Sequence, residues 1–431
     1  MKKINVILIT GFLLLSGLVI NPAYGKDSIS APNEKNIFYV GGNGTGNYTH
    51  IQDAIDDASP GDIVFVYSGV YNENLFFSND KSVELIGEDV NSTFINGTES
   101  DNVVSIYADR VKINGFTLTN SRQYNNGIYI NSNNNVISGN FIFNNDNGIE
   151  IYSSKNTIIY NNFIAYNNAW GIYLWPDADN IKIIGNTISD NEGPGVQTSS
   201  GSNNIFMKNN IVSNNNNHGI CIGGTSNSSG HNILQNTINH NNGVGLFMSL
   251  VTNSNFYGNT VSDNLYYGIA IFESNNIKLS FNDVSYNSMS GMIIMKLTNS
   301  KISNNEFSCN EDGIIIERSQ GNVISENEIA CNAVYGIKST SNSTNNLIYH
   351  NNIVNNTING FDAGKNSWDN GYPSGGNYWS DYQGEDNNGD GIGDTPYIIS
   401  SNSKSLTKSN SDNYPFMSYN GWEKKLLKTL R

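Results

Sequence analysis

Apolar and polar residues alternate in short bursts along this chain, and a glycine precedes most of them. In Gly148-Ile-Glu-Ile-Tyr152, Ile149 and Ile151 fall on one side of an extended strand, Glu150 and Tyr152 on the other. Such stretches follow Gly127, Gly148, Gly171, Gly195, Gly219, Gly245, Gly268, Gly291, Gly313, Gly336 and Gly360, which lie 21 to 26 residues apart. A second marker, Asn-x-(Ile/Val/Phe), runs in phase from Asn140 through Asn162, Asn186 and Asn210 to Asn327 and Asn352. A third Asn follows five residues later, from Asn145 to Asn332. Phased markers with no helical pattern between them predict a solenoid. Each coil would hold about three short strands, each pairing with its copy about 4.8 Å away in the next coil.

The inward column of this repeat is apolar throughout: Ile128, Ile149, Ile172, Val196, Ile220, Leu246, Ile269, Met292, Ile314, Ile337 and Phe361. It predicts a dry, filled interior. The marker glycines are expected where the chain turns sharply into a strand, a place suited to a residue without Cβ. The phased asparagines are expected to stack into structural ladders that also cap turn backbone.

A solenoid exposes its core at both ends. At the start, Ile37 to Val40 reads as a strand, and Thr49 opens a short amphipathic helix with Ile51, Ala54, Ile55 and Ala58 on one face. Pro60-Gly61-Asp62 ends this helix, which is expected to plug the first coil. Before it, Lys2 and Lys3, an apolar run from Ile4 to Ile20, and Ala23-Tyr24-Gly25 read as a cleaved export signal. The expected organisation is a signal peptide over 1–25, a cap over 26–62, a β-helix over 63–365, a distinct segment over 366–416 and a basic tail over 417–431. In that tail, Leu426, Leu427 and Leu430 suit a capping helix.

Composition sharpens this picture. The chain has 78 Asn and 42 Gly in 431 residues, far too many for an ordinary helical protein. Its 24 Tyr and 18 Phe are too many for a disordered coil. A net charge of −15 argues against nucleic acid as a partner. Three cysteines make no disulfide framework. Cys309 and Cys331 occupy the same place in adjacent coils, so their Cα atoms are expected about 5 Å apart, with the thiols reduced.

The outward positions carry the candidate chemistry. Two residues after each glycine stand Tyr129, Glu150, Tyr173, Gln197 and so on to Lys338 and Asp362; four after stand Tyr152 and Trp175. Neither column stacks two carboxylates on neighbouring coils, as a sugar hydrolase needs, so no catalytic residue is assigned. Tyr129, Glu150, Tyr152, Tyr173, Trp175 and Asp177 cluster on three successive coils. Aromatic faces beside carboxylates suit pyranose rings, and a polysaccharide is the expected ligand. Further along, Phe247, Phe272, Ile293, Met295 and Ile315 form a more apolar stripe, expected to be covered by the C-terminal segment or by another envelope protein. Lys338 and Asp362 are expected to form an exposed ion pair.

Two metal readings arise. Asp386, Asn388, Asp390, Gly391, Ile392 and Asp394 fall at positions 1, 3, 5, 6, 7 and 9 of an EF-hand-like loop, which predicts a structural calcium ion. Position 12 is Tyr397, so Asp381 or Glu385 would supply the missing ligand. His218, Cys221, His231 and His240 are soft donors, but their spacing matches no ligand motif, and copper is not expected.

The segment from Tyr48 to Asp62 resembles the entry motif of right-handed β-helix proteins. The Asn/Gly coils, Gly376-Asn-Tyr-Trp-Ser-Asp381 and Gly389-Asp-Gly-Ile-Gly-Asp-Thr-Pro-Tyr397 resemble NosD-type cell-surface proteins of methanogenic archaea. The resemblance covers residues 36–416. It implies an all-β, single-stranded, right-handed parallel β-helix of the pectate-lyase kind with an N-terminal capping helix. It also implies export to the cell surface and a repeat associated with carbohydrate binding and sugar hydrolysis, shared with polysaccharide lyases, hydrolases and alginate epimerases. NosD itself is linked to copper delivery. The expectation is a monomeric structural or adhesive surface protein that binds polysaccharide, with a polysaccharide-active enzyme and a copper-handling accessory protein as alternatives.

Overall fold

The computed structural model describes residues 35–401 and 411–423. The export signal, most of the Ser/Asn/Lys-rich stretch after Ser401, and Leu426, Leu427 and Leu430 lie outside the described residues. The folded body begins at Asn36.

The body is a parallel β-solenoid of about 15 coils. Each regular coil has three strands. In one coil they are Asn126–Ile130, Val136–Ser138 and Phe141–Phe143. The next coil repeats them as Asn147–Ile151, Ile158–Tyr160 and Phe163–Ala165. We call the three stacked sheets the glycine face, the middle face and the asparagine face. Pairing is parallel and residue for residue, with Ile128 opposite Ile149 and Ile149 opposite Ile172. The glycine and middle faces join where one long strand, Leu246–Tyr257, runs through their shared corner.

The inward column from Ile128 to Ile337 is buried without a break. The middle and asparagine faces add their own columns, including Ile137, Ile159 and Ile183, and Ile142, Ile164 and Ile188. Each such side chain contributes roughly 1.5–3 kcal/mol on burial, and together they form one continuous core.

Two corners of every coil are held by asparagine. Asn162 Nδ2 donates to Asn186 Oδ1 at 3.0 Å and to the Ile137 carbonyl at 2.9 Å. The same Asn186 oxygen accepts the Asn162 backbone N–H at 2.9 Å. The pattern repeats from Asn140 up to Asn377 on one corner and from Asn145 up to Asn359 on the other. These side chains satisfy backbone groups that the turn would otherwise bury unpaired, at about 1–3 kcal/mol each. Except at the final rungs, Asn377 and Asn359, the residue before each ladder asparagine sits in left-handed backbone, as at Asn161 (φ 53°), Gly185 (65°) and Asn209 (55°) on one corner, and Asn144 (53°) and Asn214 (55°) on the other. Asn and Gly tolerate that conformation best, which accounts for much of the composition.

The marker glycines serve a different purpose from the one expected. None of them has positive φ. They are required by crowding: a Cβ on Gly148 would lie 2.4 Å from the Gly171 carbonyl oxygen and 2.5 Å from Ile164 Cγ2.

The last coil departs from the sequence reading. The ladder residue there is Asn351, whose Oδ1 accepts from Asn327 Nδ2; Asn352 stands opposite Glu328 instead. Gly360 stands opposite Ile337, one residue out of phase with the earlier glycines. Phe361 therefore pairs with Lys338 and faces outward, half-buried, while Asp362 pairs with Ser339 and is fully buried. The expected Lys338–Asp362 ion pair is thus ruled out by register. Lys338 lies over the Tyr335 ring, 4.8 Å from its centroid.

The ends differ in construction. The strand Ile37–Val40 already pairs with Ile63–Val66, so coil pairing starts before the helix. The helix spans Ile51–Asp57 and buries Ile51, Ala54 and Ile55 in the core. Its first two N–H groups donate to Glu73 rather than to a residue beside it. At the other end, Tyr378–Trp379 supplies a last rung on the asparagine face, opposite Asn352 and Ile353. Trp368, Trp379 and Ile399 close the core there. Trp368 donates its indole N–H to Asp362 Oδ2 at 2.9 Å.

Candidate functional site

Outward positions of the glycine face stand in the row that the repeat implies. Tyr129 is opposite Glu150, Glu150 opposite Tyr173, and Tyr173 opposite Gln197. One residue past the strand ends, Tyr152 and Trp175 are neighbours, their ring centroids 6.0 Å apart and nearly edge to face. Trp175 lies 5.0 Å from Tyr173, and Tyr173 stacks on Trp170 at 4.5 Å. Trp175 donates its indole N–H to Glu150 Oε1 at 2.7 Å, and Asn147 Nδ2 donates to Glu150 Oε2 at 3.2 Å. Both oxygens of this carboxylate are oriented by neighbours.

Half-burial sets the electrostatics. Desolvation raises the Glu150 carboxyl above the ordinary carboxylate range, against the pull of Trp175, Asn126 and Asn147. Desolvation, with the charges of Tyr107 and Glu150 nearby, pushes the Tyr129 phenol up to about 12. The phenol remains a hydrogen-bond donor at any physiological pH.

Five of the six residues expected here lie together: Tyr129, Glu150, Tyr152, Tyr173 and Trp175. Asp177 does not join them. It sits exposed, in left-handed backbone (φ 64°), in the turn after Trp175. Three further aromatics belong to the strip. Tyr107 meets Tyr129 at 5.9 Å, Phe76 meets Tyr107 at 5.3 Å, and Trp170 flanks Tyr173. Phe76 and Tyr107 lie in early coils that carry no glycine marker, and Trp170 precedes its glycine, so columns counted from the glycines miss all three. The strip keeps open ring area, with Phe76 49%, Tyr152 44% and Trp175 36% exposed. It therefore offers apolar ring faces, phenol and amide donors, and one oriented carboxylate.

The apolar stripe beyond it is a small cluster of its own: Val244, Ala270 and Ile293, flanked by Phe247, Phe272 and Ile315. The described C-terminal residues do not cover it. On the asparagine face Tyr419 donates to Glu328 and Asn420 pairs with Asn352, while Ser400 bridges to Phe361 at the end of the glycine face.

In the C-terminal loop, Asp386 accepts the N–H groups of Gly389, Asp390 and Gly391, Asn388 accepts that of Asp390, and Asp390 accepts that of Ile392. Asp394 Oδ2 turns to Asn387. These bonds hold Asp386, Asn388, Asp390, Ile392 and Asp394 in a chain of Asx-type turns. The soft donors stay apart. His218 Nδ1 accepts the Val244 N–H at 2.9 Å, its ring stacked on Phe247. His231 is fully buried, and desolvation lowers its pKa to about 4. Burial pushes the Cys221 thiol up to about 11, and His240 faces solvent in a corner. Among the described residues no three His, Cys, Asp or Glu groups converge on one point.

Cys309 and Cys331 do share a register, each following the paired Ser308 and Ala330, and both are free thiols. Each sits in left-handed backbone (φ 57°). The sequence motifs near the C-terminus are structural. Gly376 leaves room for Asp412, since a Cβ there would lie 1.9 Å from its Oδ1. Asn377 ends a ladder, and Asp381 accepts from Asn359 and Tyr397.

A parallel β-helix with an aromatic strip along one face defines a class of elongated proteins that present side chains in rows. Two family models match this chain. One, described as a right handed beta helix region, matches residues 101–260. The other, described as periplasmic copper-binding protein (NosD), matches residues 227–384. Over these two stretches the chain is similar to NosD-like right-handed β-helix proteins. A cell surface glycoprotein of Methanothermus fervidus is 30% identical over 164 residues, covering 30% of this chain and 26% of that protein. The match thus spans about a quarter of the relative's length. Among solved structures, the A-module of the Azotobacter vinelandii mannuronan C-5 epimerase AlgE4 superposes with a TM-score of 0.50 at 17% identity, covering 74% of this chain and 91% of that one. An α-1,3-glucanase catalytic unit from Streptomyces thermodiastaticus gives 0.50 at 13% identity, covering 82% and 67%. The Dettilon tailspike protein gives 0.51 at 14% identity, covering 75% and 69%. At these identities the likeness is one of fold alone.

Proposed function

We propose that this protein is exported, stands at the cell surface, and holds polysaccharide along the strip from Phe76 to Trp175. The observation that carries the reading is the Trp175–Glu150 hydrogen bond inside a cluster of rings that spans successive coils. Sugar rings stack their C–H faces on aromatics while hydroxyls pair with an oriented carboxylate. Surface placement is supported by the resemblance to a cell surface glycoprotein and by the periplasmic description of NosD. Binding is favoured over catalysis because the strip presents one carboxylate, Glu150, whereas glycoside hydrolysis uses two across the scissile bond. A net charge of −15 further favours neutral over acidic polysaccharides. The test is a glycan array probed with the exported form of the protein. Signal on neutral polysaccharides supports the reading. A blank array, or signal on acidic polymers alone, contradicts it.

A further inference from the structure

A second candidate site lies on another face. A cleft of about 1210 Å³ opens between the asparagine face and the C-terminal segment. Its floor holds a feature absent from the glycine face: carboxylates on successive coils. Asp283 stands opposite Glu306, and Glu306 opposite Glu328. Stacked parallel strands set such residues about 4.8 Å apart. Glu306 and Glu328 line the cleft, joined by Glu326, Asp390 and Glu423. Among the described residues, none of the lining side chains is Lys or Arg.

The walls are aromatic. Tyr372 and Tyr419 are 60% and 49% exposed, leaving open ring faces beside the acids. Tyr419 donates its hydroxyl to Glu328 Oε2 at 2.6 Å, which fixes both groups. Behind them Trp422 is buried and stacks flat on His350 at 5.4 Å. The cleft thus has a rigid back, an acidic floor and flat apolar sides.

We propose that this cleft binds a polysaccharide built of amino sugars, with ammonium groups on Glu306 and Glu328 and ring faces against Tyr419 and Tyr372. Five carboxylates, with no Lys or Arg among the described lining residues, select a positively charged ligand and reject the uronic acid class. A row of acids running along the solenoid axis selects a polymer with charge at regular intervals. A basic peptide is the weaker fit. Extended peptides bind sheets by adding to a free edge, and here Glu306–Ser308 and Glu328–Ala330 are paired on both sides. The proposal is independent of the Trp175 strip and stands or falls separately.

The experiment is calorimetric titration of the full chain at about pH 6, where the sugar amines carry charge. The probes are a glucosamine hexamer, its fully N-acetylated counterpart, and hexalysine. We expect the glucosamine hexamer to bind roughly tenfold or more tightly than either of the others. Glu306→Gln with Glu328→Gln should weaken it by a similar factor, and added salt should weaken it further. Trp175→Ala with Tyr152→Ala should leave it unchanged. Should the double Gln variant fold poorly, Glu306→Gln alone decides, because that side chain is exposed. Absent binding, equal binding of the acetylated hexamer, equal binding of hexalysine, or indifference to Glu306→Gln would each overturn the proposal.

Discussion

Trp379 donates its indole N–H to Asp412 Oδ2 at 2.9 Å, and the same oxygen accepts the Asn377 backbone N–H at 2.7 Å. Asp412 is fully buried, 33 residues along the chain from Trp379. One carboxyl group therefore ties the end of the first asparagine ladder to the tryptophan that closes the core.

That link gives the C-terminal cap a pH dependence. Burial pushes the Asp412 carboxyl from its ordinary 3.8 up to about 7, against the pull of N–H donors from Asn377, Trp379 and Tyr414. A carboxyl whose folded pKa is raised contributes stability that is fully present below its unfolded pKa. That contribution is lost as pH rises through the folded value. Hydrogen-exchange protection of the cap should fall between about pH 4 and pH 7, and Asp412→Asn, which mimics the neutral acid, should flatten the change. Protection that rises over this range would mean that the N–H donors hold Asp412 ionised.

Two kinds of glycine make opposite predictions. A Cβ on Gly171 would lie 2.5 Å from the Gly195 carbonyl oxygen and 2.6 Å from Ile188 Cγ2. Gly171→Ala should destabilise by roughly 1–3 kcal/mol through overpacking. Gly185 has φ 65° in a corner place that Asn161 and Asn209 fill in the coils on either side. Gly185→Asn should change stability by less than about 1 kcal/mol. Urea unfolding of the two variants would give the reverse order if backbone conformation, and not crowding, dictated the marker glycines.

The acidic loop from Asp386 to Asp394 is expected to hold its shape by Asx-type turns. Calcium binding by the same loop would raise the melting temperature above that in chelator, and equal melting would count against the ion. A rise with calcium that Asp390→Ala abolishes would establish the ion that the loop's spacing suggests, with Asp386 and Asp390 exchanging amide bonds for metal.

Much of this architecture was legible because each coil restates the same constraints. The inward column from Ile128 to Ile337 and both ladders follow from phase alone. The last coil was not legible for a local reason. Asn351 and Asn352 both satisfy the Asn-x-(Ile/Val/Phe) pattern, and only the stacked amide of Asn327 selects the first. The second ladder then closes on Asn359, three residues after Asn356, which shifts Gly360 by one place and turns Asp362 inward. The core of the aromatic strip could be read from the positions after each glycine, but Phe76 and Tyr107 could not, having no marker before them. The acids of the asparagine face were hidden for a related reason. Asp283, Glu306 and Glu328 each follow a ladder asparagine, a position whose outward direction becomes apparent only once the asparagine is known to point in.

The most direct measurement of the central claim is affinity electrophoresis of the wild type and of Trp175→Ala with Tyr152→Ala, through gels containing the neutral polysaccharide found on the array. Both side chains are partly exposed, so the fold should survive, with circular dichroism as the check. The account predicts retardation of the wild type and its loss in the double variant, as removal of stacking contacts worth about 0.5–1.5 kcal/mol each would produce. Equal retardation of the two proteins, both folded, would contradict it and place polysaccharide binding away from the strip.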